Sequence, residues 1–189
     1  MTVSPNKRYV VAVHEAGHAL TALLLDGYDK VRKVTILPRG AAGGVTQFLP
    51  QQDQLDSGLY SKNYMEKQLI VALGGRAAEA TMFGDDEVTT GASSDMQHVY
   101  KIAKAMVTQY GFNPTIGNIA FPAGEMHSQA TQESIDFEIL ATSDDAYNIA
   151  LTLVRDNKNV LELIARALLE KESLSGDELL ALVQPYIVK

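Results

Sequence analysis

The run from Tyr9 to Leu25 is apolar on almost every side (Tyr9, Val10, Val11, Ala12, Val13, then Ala19, Leu20, Leu23, Leu24, Leu25), with His14, Glu15 and His18 set inside it. That density predicts a buried helix over 7–25, stopped near Asp26-Gly27. Val31–Leu37 is rich in β-branched residues and reads as a strand. Gly44–Leu49 reads as a second strand closed by Pro50, with a turn or loop over Pro38–Gly43 between the two. Together they form a hairpin or two edges of a small sheet. Residues 51–60 are polar and read as loop. Ser61–Met82 predicts a long helix with Met65, Leu69, Ala72 and Leu73 spaced for one buried face. Gly74 and Gly75 fall inside that helix, where a glycine costs about 1 kcal/mol relative to alanine, so close packing or a bend has to account for them.

Gly84–Gly91 reads as loop. Ser93 and Ser94 are good N-caps for a helix to about Tyr110, with Met96, Val99, Tyr100, Ala103, Met106 and Val107 apolar. Gly111–Gln132 is polar and irregular, with Pro114 and Pro122. From Glu133 onward only helices are expected, over about 133–156, 158–171 and 175–185, the last opened by a capping box between Ser175 and Glu178. Ile149, Leu153, Leu161, Ile164 and Leu168 have ordinary helix-packing spacing and read as scaffold or partner contact. The fold class is therefore mainly α (α+β), with a small β-sheet or hairpin and a C-terminal helical segment. The 189 residues suit a single domain over 1–189, with the site region in 1–121 and the C-terminal helices in 133–189.

Sixteen basic residues against twenty-three acidic ones leave a net charge of -7. That balance argues against a nucleic-acid surface and against binding to an anionic membrane. The chain has no cysteine, which excludes disulfides and thiolate metal sites and leaves only His, Asp and Glu as ligands. A reducing compartment fits: the cytoplasm, or an organellar matrix or stroma. Lys7 and Arg8 ahead of the apolar run superficially resemble a signal peptide. The polar residues within the run and the lack of a small-residue cleavage site argue against one. The run is also too short and too polar to span a bilayer, so no membrane segment is expected.

The chemistry lies in His14-Glu15-Ala16-Gly17-His18, a complete H-E-x-x-H. Residues four apart stack on one helix face, so both imidazoles can reach one ion. Glu15 lies about 100° around the helix, within reach of a water on that ion. Two stray histidines on an ordinary helix would be the alternative. Buried imidazoles and a buried carboxylate cost several kcal/mol each without partners, and a metal serves all three. A catalytic zinc takes three protein ligands and leaves a position for water. The pattern H-E-x-x-H-x-x-G-x-x-H is excluded because Thr21 and Leu24 occupy its later positions. Glu66 and Glu79 on the 61–82 helix are candidate third ligands. Asp95, at a helix start where the dipole favours an anion, is the better one. By local pattern alone Asp95 reads as a common first-turn acid, and His98 is a weaker candidate for ligand or neighbour.

The chain carries, in order, His14-Glu15-Ala16-Gly17-His18-Ala19, Val34-Thr35-Ile36-Leu37-Pro38-Arg39-Gly40, Gly44-Val45-Thr46 and Phe48-Leu49-Pro50. Leu73-Gly74-Gly75-Arg76-Ala77-Ala78-Glu79, Thr90-Gly91-Ala92-Ser93-Ser94-Asp95, Met106-Val107-Thr108-Gln109-Tyr110-Gly111-Phe112 and the Leu168-Leu169-Glu170 region follow. These blocks, in this order, resemble the FtsH family of ATP-dependent metallopeptidases. Nearly the whole chain is covered. The resemblance implies a helical zincin-like peptidase domain in which His14, His18 and Asp95 bind zinc and Glu15 is the catalytic base. Glu79 would be a structural residue supporting the ligands. It also implies a homo-oligomer, a hexamer stacked under an ATPase ring.

The 189 residues hold no G-x-x-x-x-G-K-[ST] and no membrane anchor, so the chain reads as an excised piece or a stand-alone relative. An ATPase partner or domain would then have to come from elsewhere, and membrane association would belong to a longer chain. The 122–132 segment matches the family poorly, and His127 is given no role. The expected function is hydrolysis of peptide bonds in unfolded polypeptides, by a zinc-activated water with Glu15 as general base. The alternative is a non-catalytic oligomerisation module with a structural or vestigial zinc, and a weaker one is a zinc hydrolase acting on something other than peptides.

Overall fold

The computed structural model describes residues 5–38 and 43–187. The fold is mainly α with a small antiparallel sheet. Its elements are α1 (Pro5–Leu24), β1 (Lys30–Thr35), β2 (Val45–Leu49), α2 (Gln52–Ser57), α3 (Lys62–Phe83), α4 (Ser93–Thr108), α5 (Gln129–Asp156), α6 (Lys158–Lys171), β3 (Ser173–Ser175) and α7 (Gly176–Val183). Of the turn expected over Pro38–Gly43, residues 39–42 lie outside the described residues, and so do Arg39 and Gly40 of the family block.

Helix α3 is the hub, packed against α1, α4 and α5, while α1 also lies on α6 and β1. Along α1, Ala12, Val13, Ala16, Ala19 and Leu20 are fully buried, as the apolar run requires. Small residues let the two backbones touch. A Cβ on Gly17 would run into the Gly74 carbonyl oxygen and lie 2.6 Å from Ala78 Cβ. One on Gly74 would lie 2.7 Å from the Gly17 carbonyl oxygen. Close helix crossing therefore accounts for the costly glycine, and α3 runs unbroken from Ser61, whose hydroxyl accepts from Tyr64 N.

The sheet has the order β2–β1–β3, with both pairings antiparallel. Val34, fully buried, pairs with Thr46 on one side and Leu174 on the other. The register slips between Val31 and Lys33, which lets β1 bend over α1. Strand β3 corrects the all-helical expectation after Glu133. Three residues carry no readable period, and this strand exists because β1 offers it an edge. At its start Glu172 adopts a left-handed φ of 61° and ends α6. Its carbonyl oxygen accepts from Ile36 N at 3.0 Å and from the Thr35 hydroxyl at 3.0 Å.

Other boundaries differ locally. Residues 52–57 form a short helix inside the expected loop. Ser93 is the first residue of α4 and not its cap; its hydroxyl donates to the carbonyl oxygen of Thr90, the first residue of a 3₁₀ turn over Thr90–Ala92. Helix α5 begins at Gln129, capped by the Ser128 hydroxyl. Tyr100 and Ile149, read as packing positions, are exposed, whereas Leu161, Ile164 and Leu168 are fully buried. The capping box of α7 forms as expected from Ser175 and Glu178. Among the described residues, no helix is long and apolar enough to cross a membrane.

Candidate metal centre

His14 and His18, one turn apart on α1, bring their ring centroids to 4.7 Å in an edge-to-face arrangement. Their Nε2 atoms lie 3.0 Å apart. Asp95, in the first turn of α4, sets Oδ2 at 3.2 Å from His14 Nε2 and 3.6 Å from His18 Nε2. The three candidate ligand atoms all fall within 4.8 Å of one another.

Helix α3 orients both rings from behind. His14 Nδ1 donates to Glu79 Oε1 at 2.7 Å, and His18 Nδ1 donates to the Val71 carbonyl oxygen at 2.7 Å. Val71, Gly75 and Glu79 are four residues apart and so form one stripe of α3. Between the two hydrogen-bonding residues, Gly75 leaves the room the rings need: a Cβ there would lie 2.5 Å from His14 Cε1 and 2.7 Å from His18 Nε2. Glu79 is 1% exposed, and its second oxygen accepts from Thr89 N at 2.6 Å.

With each Nδ1–H donating outward, a neutral ring presents its Nε2 lone pair inward. Two lone pairs and a carboxylate oxygen then face one another, and they repel unless they share a proton or a cation. The electrostatics carry the same message. Burial lowers the His14 pKa, but hydrogen bonds to Asp95 and Glu79 and the nearby Glu15 charge outweigh it and raise the pKa to about 9. Burial raises the Asp95 pKa, but hydrogen bonds from His14 and His18 outweigh it and hold the carboxyl well below the usual range. Glu79 is likewise lowered, with burial outweighed by His14 and Thr89. Two imidazole nitrogens and one carboxylate oxygen are a donor set that suits a divalent ion such as zinc.

Glu15 is 6% exposed. Its Oε2 accepts from the Thr46 hydroxyl at 2.7 Å. Gly44 gives the carboxylate space, since a Cβ there would lie 2.9 Å from Glu15 Oε1. The fold thus brings His14, His18 and Asp95 together, with Glu15 next in sequence to one of them. It does not bring in Glu66, which sits half-exposed 3.8 Å from Lys62, or His98, which is exposed. His127 packs edge-on to Phe121 with centroids 4.8 Å apart. Val71, Thr89 and Thr46 were missed by sequence reasoning. Val71 and Thr89 act through backbone atoms, which leave no trace in residue type. Thr46 stood in a recognised block, but its partner is invisible without the fold.

The sequence model of peptidase family M41 matches residues 1–182. The chain belongs to peptidase family M41. Its relatives include ATP-dependent zinc metalloproteases. The chloroplastic enzyme FTSH 1 of Arabidopsis thaliana is 42% identical over 95% of this chain and 27% of its own length. The chloroplastic FTSH 1 of Oryza sativa subsp. japonica is 44% identical over 95% of this chain and 28% of its own. FtsH 3 of Synechocystis is 41% identical over 96% of this chain and 32% of its own. The M41 chain therefore spans about 27 to 32% of the length of these relatives. The resemblance to the FtsH family is borne out by this membership, and the chain is a metallopeptidase-family domain.

Proposed function

We propose that this domain is a zinc-dependent endopeptidase acting on unfolded polypeptide, with His14, His18 and Asp95 holding the ion and Glu15 as general base. The observation that carries the proposal is the convergence of two inward Nε2 atoms and one carboxylate oxygen beside Glu15. When bound, zinc would lower the pKa of a water and polarise the scissile carbonyl. Glu15 takes a proton from the attacking water at a carboxylate oxygen and later delivers it to the departing amine. Glu79 and the Val71 carbonyl fix the tautomers of the two rings, so that Nε2 and not Nδ1 faces the ion.

Strand β2 stands at the edge of the sheet, and an extended peptide can add beside it through main-chain hydrogen bonds. Such pairing selects unfolded chains. We also read residues 1–189 as one domain, because α6 packs on α1 and β3 completes the sheet that starts with β1. The relatives' names, ATP-dependent zinc metalloproteases, support an ATPase in the same chain or as a partner, and a hexameric assembly is the form the resemblance implies. The chloroplastic relatives favour an organellar stroma as one setting.

Chelator-treated protein is expected to lose cleavage of an unfolded casein substrate, and stoichiometric zinc to restore it. Cleavage that survives verified removal of all metal would overturn the proposal. A pH dependence follows from His14. In the metal-free protein its raised pKa means a bound proton stabilises the fold fully below about 6.5, and this contribution is lost as pH rises through about 9. Zinc must displace that proton. Calorimetric titration at pH 7 in buffers of different protonation heat should therefore report about one proton released, and apparent zinc affinity should climb between pH 6.5 and 9. Zinc uptake without proton release would contradict the assignment of His14 Nε2.

A further inference from the structure

We propose that Thr46 is a positioning residue that holds the Glu15 carboxylate and ties the catalytic base to the substrate-receiving edge strand. The inference rests on the endopeptidase reading above. A glutamate side chain has three rotatable bonds before its carboxylate, so a base in that position needs an anchor. The Thr46 hydroxyl supplies one, 2.7 Å from Glu15 Oε2 and 3.2 Å from the Glu15 backbone carbonyl oxygen. It has one proton to give, and the shorter contact is to the carboxylate. A hydrogen bond to an ionised acceptor is about twice as strong as a neutral one.

The anchor is itself fixed. Thr46 pairs with Val34 across the β1–β2 ladder, and Val34 is fully buried. Strand residues alternate between faces, so Val45 and Gln47 project away from the face on which Thr46 meets α1. Gly44 adds a second constraint, because any side chain at that position would strike Glu15 Cγ at 2.8 Å and Oε1 at 2.9 Å. The start of β2 thus shapes the pocket of the carboxylate, while among the described residues no strand pairs with its outer edge. A peptide pairing along that edge would lie one strand width from the hydroxyl that sets the base.

The test uses the full chain loaded with zinc. Thr46→Val keeps the side-chain shape and removes the hydroxyl. It is expected to lower kcat about tenfold with KM, zinc stoichiometry and Tm unchanged, and Thr46→Ser should restore kcat to within about twofold. A Thr46→Val enzyme with wild-type kcat would overturn the inference. So would a kcat loss that only tracks lost zinc or lost Tm, because that is a structural role. If the wild-type protein itself cleaves nothing, the endopeptidase reading fails on its own. A crystal structure of Thr46→Val then still decides: a displaced Glu15 carboxylate supports the anchor, and an unmoved one overturns it.

Discussion

Glu15→Gln is expected to abolish cleavage of unfolded casein while leaving zinc bound. The amide is nearly the same size as the carboxylate, and its oxygen can still accept from the Thr46 hydroxyl, which sits 2.7 Å away in the native chain. Neither imidazole partner is touched, because His14 and His18 are oriented by Glu79 and Val71. What disappears is the ability to take a proton from the attacking water. General-base catalysis contributes roughly 10²- to 10⁴-fold, so kcat should fall about a thousandfold or more, equivalent to about 4 kcal/mol of transition-state stabilisation. Metal content by mass spectrometry and Tm should match wild type. Full cleavage by this variant would remove Glu15 from the mechanism. Loss of zinc together with loss of cleavage would assign it a structural role instead.

Gly17→Ala is expected to destabilise the domain although alanine is the better helix former. Propensity favours alanine by about 1 kcal/mol. Against that, the new Cβ meets the Gly74 carbonyl oxygen and would lie 2.6 Å from Ala78 Cβ and 2.8 Å from the Gly74 carbonyl carbon. Backbone atoms of a buried helix cannot step aside, so α1 and α3 must separate. Overpacking of this kind costs roughly 1–3 kcal/mol and occasionally more, and at this backbone contact the upper end applies, giving a net loss of about 2 kcal/mol. In a chain of this size that lowers Tm by roughly 4–8 °C. Because α1 carries both imidazoles and α3 carries the groups that orient them, zinc affinity should fall as well. A variant with wild-type Tm and zinc affinity would show that the crossing tolerates separation and that close approach does not require glycine at positions 17 and 74.

How much of this was legible in the sequence varied with distance along the chain. His14, Glu15 and His18 sit within five residues on one helix, and period alone places them. Asp95 was one acid among several by local pattern. Its place at a helix start ranked it above Glu66 and Glu79, the family blocks made it the third ligand, and the 3.2 Å approach to His14 is a property of the α1–α3–α4 packing. Gly74 and Gly75 were visible as costs and the fold supplies their reasons, one at a helix crossing and one beneath the imidazoles. Glu79 stood as a candidate third ligand by type and as a supporting residue by resemblance, and the packing of α3 on α1 gives it His14 as its partner. Strand β3 left no signal, because three residues are too few for a pattern and its pairing partner is more than a hundred positions upstream.

That last separation governs when the molecule can finish folding. Strand β1 gains its second neighbour, and Thr35 and Ile36 gain their acceptor on Glu172, only from residues 172–175. During synthesis the histidine-bearing helix is made well over a hundred residues ahead of the segment that completes the sheet beside it. Every residue of the candidate site lies before position 96, so these last contacts close the scaffold around a set of ligands already made.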